Sequence, residues 1–133
     1  GQKGRVLGLD ISDEMLREAE AKIKRLGLDN IIKLKKILSE NIPLEDNSVE
    51  AVICVFSYHH FPDPYRVISE MCRVLKPSKK AVSIDGCRPE HSFKKFIADL
   101  SVKTSDRIWH MRFYTEREFK EFFEGSGFEE MHT

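Results

Sequence analysis

The sequence lacks most of the features that would assign it at a glance. It has no charge bias, since Lys plus Arg and Asp plus Glu both number 22. A balanced chain gives no reason to invoke nucleic acid or an anionic membrane as a partner. The short basic runs at Lys33-Lys35-Lys36 and Lys79-Lys80 read as solvated surface. Cysteine is scarce: Cys54, Cys72 and Cys87 are odd in number and have no C-x-x-C spacing. Neither a disulfide framework nor a zinc site is suggested, and reduced thiols fit a cytoplasmic protein. No apolar run approaches the ~20 residues of a membrane span. The first residues are polar and unlike a signal peptide. There is no internal repeat and no low-complexity stretch.

What is present is an ordinary globular composition, with 133 residues, 41% of them hydrophobic and 33% charged. One domain over residues 1–133 is the economical expectation. Val6-Leu7-Gly8-Leu9 reads as a short strand buried on both faces, and Asp10 stands at its carboxyl end. Ser12 is a good N-cap, with Asp13 and Glu14 in the first turn of the helix that follows. Met15, Leu16, Ala19, Ile23 and Leu26 recur at helical spacing. Lys22, Lys24 and Arg25 crowd the last turn, and Gly27 can take the left-handed position after it.

Ile31 to Leu34 reads as a second strand, followed by the polar loop LSENIPLEDNS. AVICVF, residues 51–56, reads as a central strand covered on both faces. Asp63-Pro64 opens a helix whose buried stripe is Ile68, Met71, Cys72 and Leu75, ended by Pro77. AVSID, residues 81–85, is a further strand that again ends in an acid. Phe93, Phe96, Ile97 and Leu100 mark a helix. Thr115 and Glu118 form a capping box ahead of Phe119, Phe122 and Phe123. Phe128 to Met131 reads as the start of a last strand. This alternation predicts an α/β fold with a mostly parallel sheet and helices on both faces.

Four of these pieces, in order, resemble class I S-adenosylmethionine-dependent methyltransferases of the small-molecule, quinone-biosynthesis-like branch. They are VLGLDISDEML, NIPLEDNSVEAVICVFSYHHFPDP, SEMCRVLKP with AVSID, and FYTEREFKEFFEGSGFEE. The resemblance runs nearly end to end, and residues 88–113 match least. It implies a Rossmann-like fold, S-adenosylmethionine as cofactor and a small-molecule methyl acceptor. Asp10 then takes the ribose hydroxyls, a role that a carboxylate at a strand end suits; capping of the next helix is the competing use. Ile11 packs on the adenine. Leu38 and Ser39 occupy the adenine loop, although the family has an acid where Leu38 stands, so weaker binding is expected.

Val55 and Phe56 match the segment beside the cofactor's methionine moiety. Tyr58, His59 and His60 follow and could face the acceptor, where an imidazole can take a proton; packing and capping are the alternative for each. Trp109 is a candidate for the acceptor pocket. No catalytic triad and no metal are implied, because the sulfonium is already a good leaving group and no third ligand joins the two histidines.

The family's first strand with its glycine-rich loop, and its last strand, have no counterpart in this sequence. Unpaired strand edges invite association, so a homo-oligomer through the sheet edges is one expectation. A fragment of a longer enzyme, a natural short form and a degenerate domain kept for interaction or assembly all remain open. For the chain alone, cofactor binding is expected to be weak or absent. Two departures bear on the turns. Ser78-Lys79 replaces the family's Gly-Gly after Lys-Pro, so that turn must form without a residue free to take positive φ. Glu50 stands where the family has Asp. A nicotinamide-dependent dehydrogenase also ends its second strand in an acid, but SVEAVICVFSYHHF and RVLKP have no counterpart there.

Overall fold

A computed structural model of the chain describes residues 4–37, 41–88 and 114–128. The chain divides into two compact units, Gly1–Pro43 and Leu44–Thr133. The helix expected around Phe93–Leu100 lies outside the described residues, as do Leu38, Ser39, Trp109 and most of the expected last strand.

In the first unit, β1 (Val6–Asp10) leads through α1 (Asp13–Arg25) to β2 (Ile32–Lys36). The two strands pair in parallel, Val6 opposite Ile32 and Asp10 opposite Lys36. Both ends of α1 form as local chemistry dictates. Ser12 Oγ accepts the Met15 N–H at 3.3 Å, which satisfies one of the donors that a helix start leaves open. At the other end Gly27 takes a φ of 65°. Its N–H donates to the Lys24 carbonyl, and the Leu28 N–H donates to the Ile23 carbonyl at 3.0 Å. This is a Schellman closure. Gly8 leaves room for the Leu34 side chain, for a Cβ there would stand 2.7 Å from Leu34 Cδ2.

Burial in this unit departs from expectation. Val6 and Leu7 of β1 are exposed, and α1 has no fully buried residue. Leu16, Ala19 and Ile23 are half-buried while Met15 and Leu26 reach solvent. Within the unit β1 pairs along one edge and packs against one helix, which is too little cover to bury a strand on both faces.

The second unit runs β3 (Val49–Val55), a 3-10 turn (Tyr58–His60), α2 (Pro64–Val74), β4 (Leu75–Ile84), β5 (Cys87–Arg88), β6 (Tyr114–Thr115) and α3 (Glu116–Glu124). β3 pairs with β4 and β5 with β6, and every strand pairing among the described residues is parallel. A parallel pair joined through a helix is the β-α-β unit that the alternation predicts. The fold is α/β and Rossmann-like.

The expected start of α2 holds, with Asp63 Oδ1 accepting the Arg66 N–H at 3.1 Å and Pro64 at the first helical position. Its end comes earlier than Pro77. The helix stops at Val74, and β4 begins at Leu75. The register then jumps, from Val49 opposite Leu75 to Ala51 opposite Lys80. The intervening residues bulge outward, and Ser78 itself adopts a φ of 62°. The turn that lacks the family's glycines is thus built by forcing a serine into the left-handed region.

The core of this unit is Tyr58, Val67, Ile68, Met71, Val74, Leu75, Phe122 and Phe123. It lies on one face of β3–β4, where Val52 and Cys54 are half-buried. On the opposite face Ile53 is 72% exposed, and Val55, Val82 and Ile84 also reach solvent. The expectation of a strand covered on both faces is therefore corrected for β3. α2 and α3 both reach Tyr58, through Met71 and Phe119, and Tyr58 binds Ser83 on the covered face. Both helices therefore serve the same side. No helix among the described residues is long and apolar enough to cross a membrane.

Candidate functional site

Ligands of open α/β sheets bind beyond the carboxyl ends of the strands, so those ends are where the chain's chemistry is sought. In the first unit that end carries Asp10, half-buried, with its strand closed by the Ile37 N–H donating to the Asp10 carbonyl at 3.0 Å. Asp10 Oδ1 accepts the Ser12 N–H at 2.8 Å. The carboxyl therefore helps to shape the turn into α1. Oδ2 has no hydrogen bond among the described residues. Ile11 beside it is 59% exposed. A carboxyl with one oxygen anchored and the other uncommitted, next to a bare apolar side chain, suits the hydroxyls and ring of a nucleoside.

Close by, Lys36 Nζ binds Asp13 Oδ2. This contact and the lysine's charge hold the Asp13 carboxyl below the usual carboxylate range. A groove of about 780 Å³ lies between α1 and β2, lined by Leu16, Ile23, Lys33 and Lys36 among others. It is rimmed by charges of both signs, and neither Asp10 nor Ile11 lines it. Charged side chains outnumber apolar ones in its lining, unlike the mostly apolar lining of a typical ligand pocket.

In the second unit the carboxyl end of β3 makes a tight bend. Phe56 has a φ of 50° and a side chain in solvent, at 62% exposure. Its N–H donates to the Ile84 carbonyl at 2.7 Å. Ser57 Oγ donates back to the Val55 carbonyl at 3.0 Å. A left-handed phenylalanine is costly unless its neighbours hold it.

The holding group is Asp85, which follows β4. Its Oδ2 accepts the Tyr58 N–H at 2.8 Å, and its Oδ1 accepts the Gly86 N–H at 2.7 Å. Oδ1 also meets His59 Nδ1 at 2.9 Å. The His59 and Asp85 side chains are 8% and 4% exposed. His60 is exposed, its ring 4.2 Å from that of His59.

Tyr58 turns into the core, fully buried, with its hydroxyl 2.8 Å from Ser83 Oγ and 3.2 Å from Met71 Sδ. Phe61, Phe119 and Phe123 meet its ring edge-on. Burial, with Cys54 beside it, pushes the phenol pKa far up. Burial likewise raises the Cys54 thiol. Neither is a group that ionises in the neutral range.

Val55, Phe56, His59 and His60 are thus gathered at one strand end, and Asp10 and Ile11 at another. Asp85 carries no role in the sequence reading. The signal for it was present, since AVSID ends in an acid just as VLGLD does.

A family model described as a methyltransferase domain matches residues 1–83. The chain belongs to this methyltransferase family. Two curated relatives are demethylmenaquinone methyltransferases. That of Desulfitobacterium hafniense (strain Y51) is 33% identical over 89 residues, which are 67% of this chain and 35% of that protein. That of Geobacillus sp. (strain WCH70) is 39% identical over 89 residues, again 67% of this chain and 38% of that protein. The chain therefore spans little more than a third of the relatives' length. Among solved structures, a putative methyltransferase from Bacillus halodurans C-125 superposes with a TM-score of 0.81 at 26% identity, over 94% of this chain and 53% of that one. The methyltransferase domain described here is thus α/β in the Rossmann-like manner of class I S-adenosylmethionine-dependent enzymes.

Proposed function

We propose that the methyltransferase domain binds S-adenosylmethionine and takes part in methyl transfer to a small molecule with a quinone-type ring. The observation that carries the reading is Asp10. It is an acid at the carboxyl end of a parallel strand, anchored through one oxygen and placed beside an exposed Ile11, in a segment that falls within the family match. In this reading the Asp10 carboxylate accepts from the ribose hydroxyls and Ile11 packs on the adenine, with Leu38 and Ser39 in the adenine loop. Val55 and Phe56 give exposed apolar surface to the methionine end. His59, His60 and Trp109 stand on the acceptor side, and Tyr58 serves the core. The quinone-type acceptor is taken from the relatives' names.

When bound, the cofactor supplies an activated methyl group. The protein's own share is to hold the reactants in line, an effect worth ~7–11 kcal/mol when both are well placed. Calorimetric titration with S-adenosylhomocysteine, on the protein's full natural polypeptide, tests the reading. Saturable binding is expected, weakened about tenfold or more in Asp10→Asn, as for loss of a charge-assisted hydrogen bond. Absence of any heat at millimolar ligand would overturn it.

A further inference from the structure

We propose that Met15 is part of the nucleoside site beside Ile11, and that oxidation of its sulfur and binding of S-adenosylmethionine oppose each other. This rests on the methyl-transfer reading above. Ser12 links the two halves of the site. Its N–H donates to Asp10 Oδ1 at 2.8 Å, and its Oγ accepts the Met15 N–H at 3.3 Å. The same residue therefore fixes the ribose acid and the start of the helix that carries Met15. Side chains of an α-helix lean toward its N-terminus, so each covers surface over the turn before its own Cα. For Met15 that turn is the one holding Ile11 and Ser12.

The flank of the helix agrees. Asp13, Arg17 and Glu20 line the groove between α1 and β2, and Met15 does not. Met15 stands two positions from both Asp13 and Arg17, hence on the opposite flank of a helix with about 3.6 residues per turn. α1 packs on both strands, so the flank turned from β2 is the one on the side of β1, which ends in Asp10. Ile11 is 59% exposed and Met15 46%. One exposed apolar side chain needs no explanation. Two of them lie within five residues of an acid whose Oδ2 has no hydrogen bond among the described residues. Together they offer a nucleoside an apolar shelf for its base and an acceptor for its hydroxyls. A thioether suits the shelf, being flexible, polarizable and favourable against an aromatic ring.

The thioether also has a chemistry that Ile11 lacks. A hydroperoxide oxidises it to the sulfoxide. A sulfur lone pair forms the bond to one peroxide oxygen, and the O–O bond breaks with its pair going to the other oxygen. That oxygen takes up the proton of the transferred oxygen and leaves as water or an alcohol. Sulfur is oxidised and the peroxide is reduced. The product is polar where the thioether was apolar, so the oxidised shelf holds the base less well. A ligand seated on Met15 covers the sulfur and slows the same reaction. Met71 is the internal contrast, 2% exposed with its Sδ accepting the Tyr58 hydroxyl.

The test uses the full natural polypeptide and S-adenosylhomocysteine. Met15→Ala is expected to weaken binding about tenfold, with the urea midpoint little changed because the side chain is exposed. Met15→Leu keeps the shelf apolar and stays within about threefold of the unaltered affinity. Under limited hydrogen peroxide, followed peptide by peptide by mass spectrometry, Met15 is oxidised faster than Met71. Saturating ligand slows the oxidation of Met15 by about fivefold or more. Affinity falls as the Met15 sulfoxide accumulates and returns after treatment with methionine sulfoxide reductases. The Met15→Leu variant, treated alike, keeps its affinity, which a general loss of structure under peroxide would not allow.

The proposal falls if folded Met15→Ala binds within about twofold of the unaltered protein, if ligand leaves the oxidation rate of Met15 unchanged, or if peroxide weakens Met15→Leu as much as the unaltered protein. Should Met15→Ala not fold, ligand protection of Met15 in the unaltered protein decides. Failure to bind S-adenosylhomocysteine at all overturns the methyl-transfer reading and this proposal with it. Binding that is indifferent to Met15 overturns this proposal alone.

Discussion

Ser78 occupies a backbone conformation that serines avoid, a φ of 62° in the bulge between α2 and the paired part of β4. A side chain there costs about 1–2 kcal/mol against glycine, while glycine gives back part of that gain through its greater freedom when unfolded. Ser78→Gly is therefore expected to stabilise the protein by up to about 1 kcal/mol, read as a higher midpoint in urea unfolding. The need for a special residue at this position was legible in the sequence, because the family has glycine there. That serine would take the strained conformation itself was not, since the register jump that creates the bend involves β3. Phe56 makes the same point at the end of β3: nothing local asks a phenylalanine to turn left-handed, and contacts from Ile84 and Asp85 hold the bend around it.

The helices were the most legible elements, because their ends are decided within four residues. α3 is the clearest case. Thr115 Oγ1 accepts the Glu118 N–H at 3.2 Å, and Glu118 Oε2 accepts the Thr115 N–H at 2.7 Å. Both halves of the expected capping box are present. Thr115→Ala removes the first half and leaves a buried helix start with an open donor. A loss of about 1–2 kcal/mol is expected, measured by thermal unfolding, with Thr115→Ser close to unchanged. Strands were read less well. The apolar run AVICVF suggested cover on both faces, yet a run of that kind records what a strand can bury, not how many layers lie over it. The helices that reach Tyr58 come from one side, and Ile53 stays in solvent.

Stability of the second unit rests on the cluster formed where α2 and α3 meet around Tyr58. Ile68 lies at its centre with no exposed surface. Ile68→Ala removes buried methylenes from a site that cannot fully collapse, and a loss of about 2–5 kcal/mol is expected. That is a large share of the stability of a domain this size, so chemical denaturation should show a markedly lower midpoint. Among the described residues the first unit has no comparable core, with α1 carrying no buried residue. Its order rests on the β1–β2 pairing, the Ser12 cap and the Schellman closure at Gly27.

From residue order alone came the α/β class, the helix caps, the acid at the end of β1 and the family. Each of these depends on chemistry between residues a few positions apart, or on short segments in a recognisable order. Only folding could pair His59 with Asp85, which are 26 positions apart. Their meeting follows from a parallel register that sets Val55 opposite Ile84, and parallel strands are aligned by packing through a helix rather than by a turn. The same packing sends Tyr58 inward and leaves His60 outside. Three adjacent side chains that looked alike as acceptor-side candidates thus received three different surroundings.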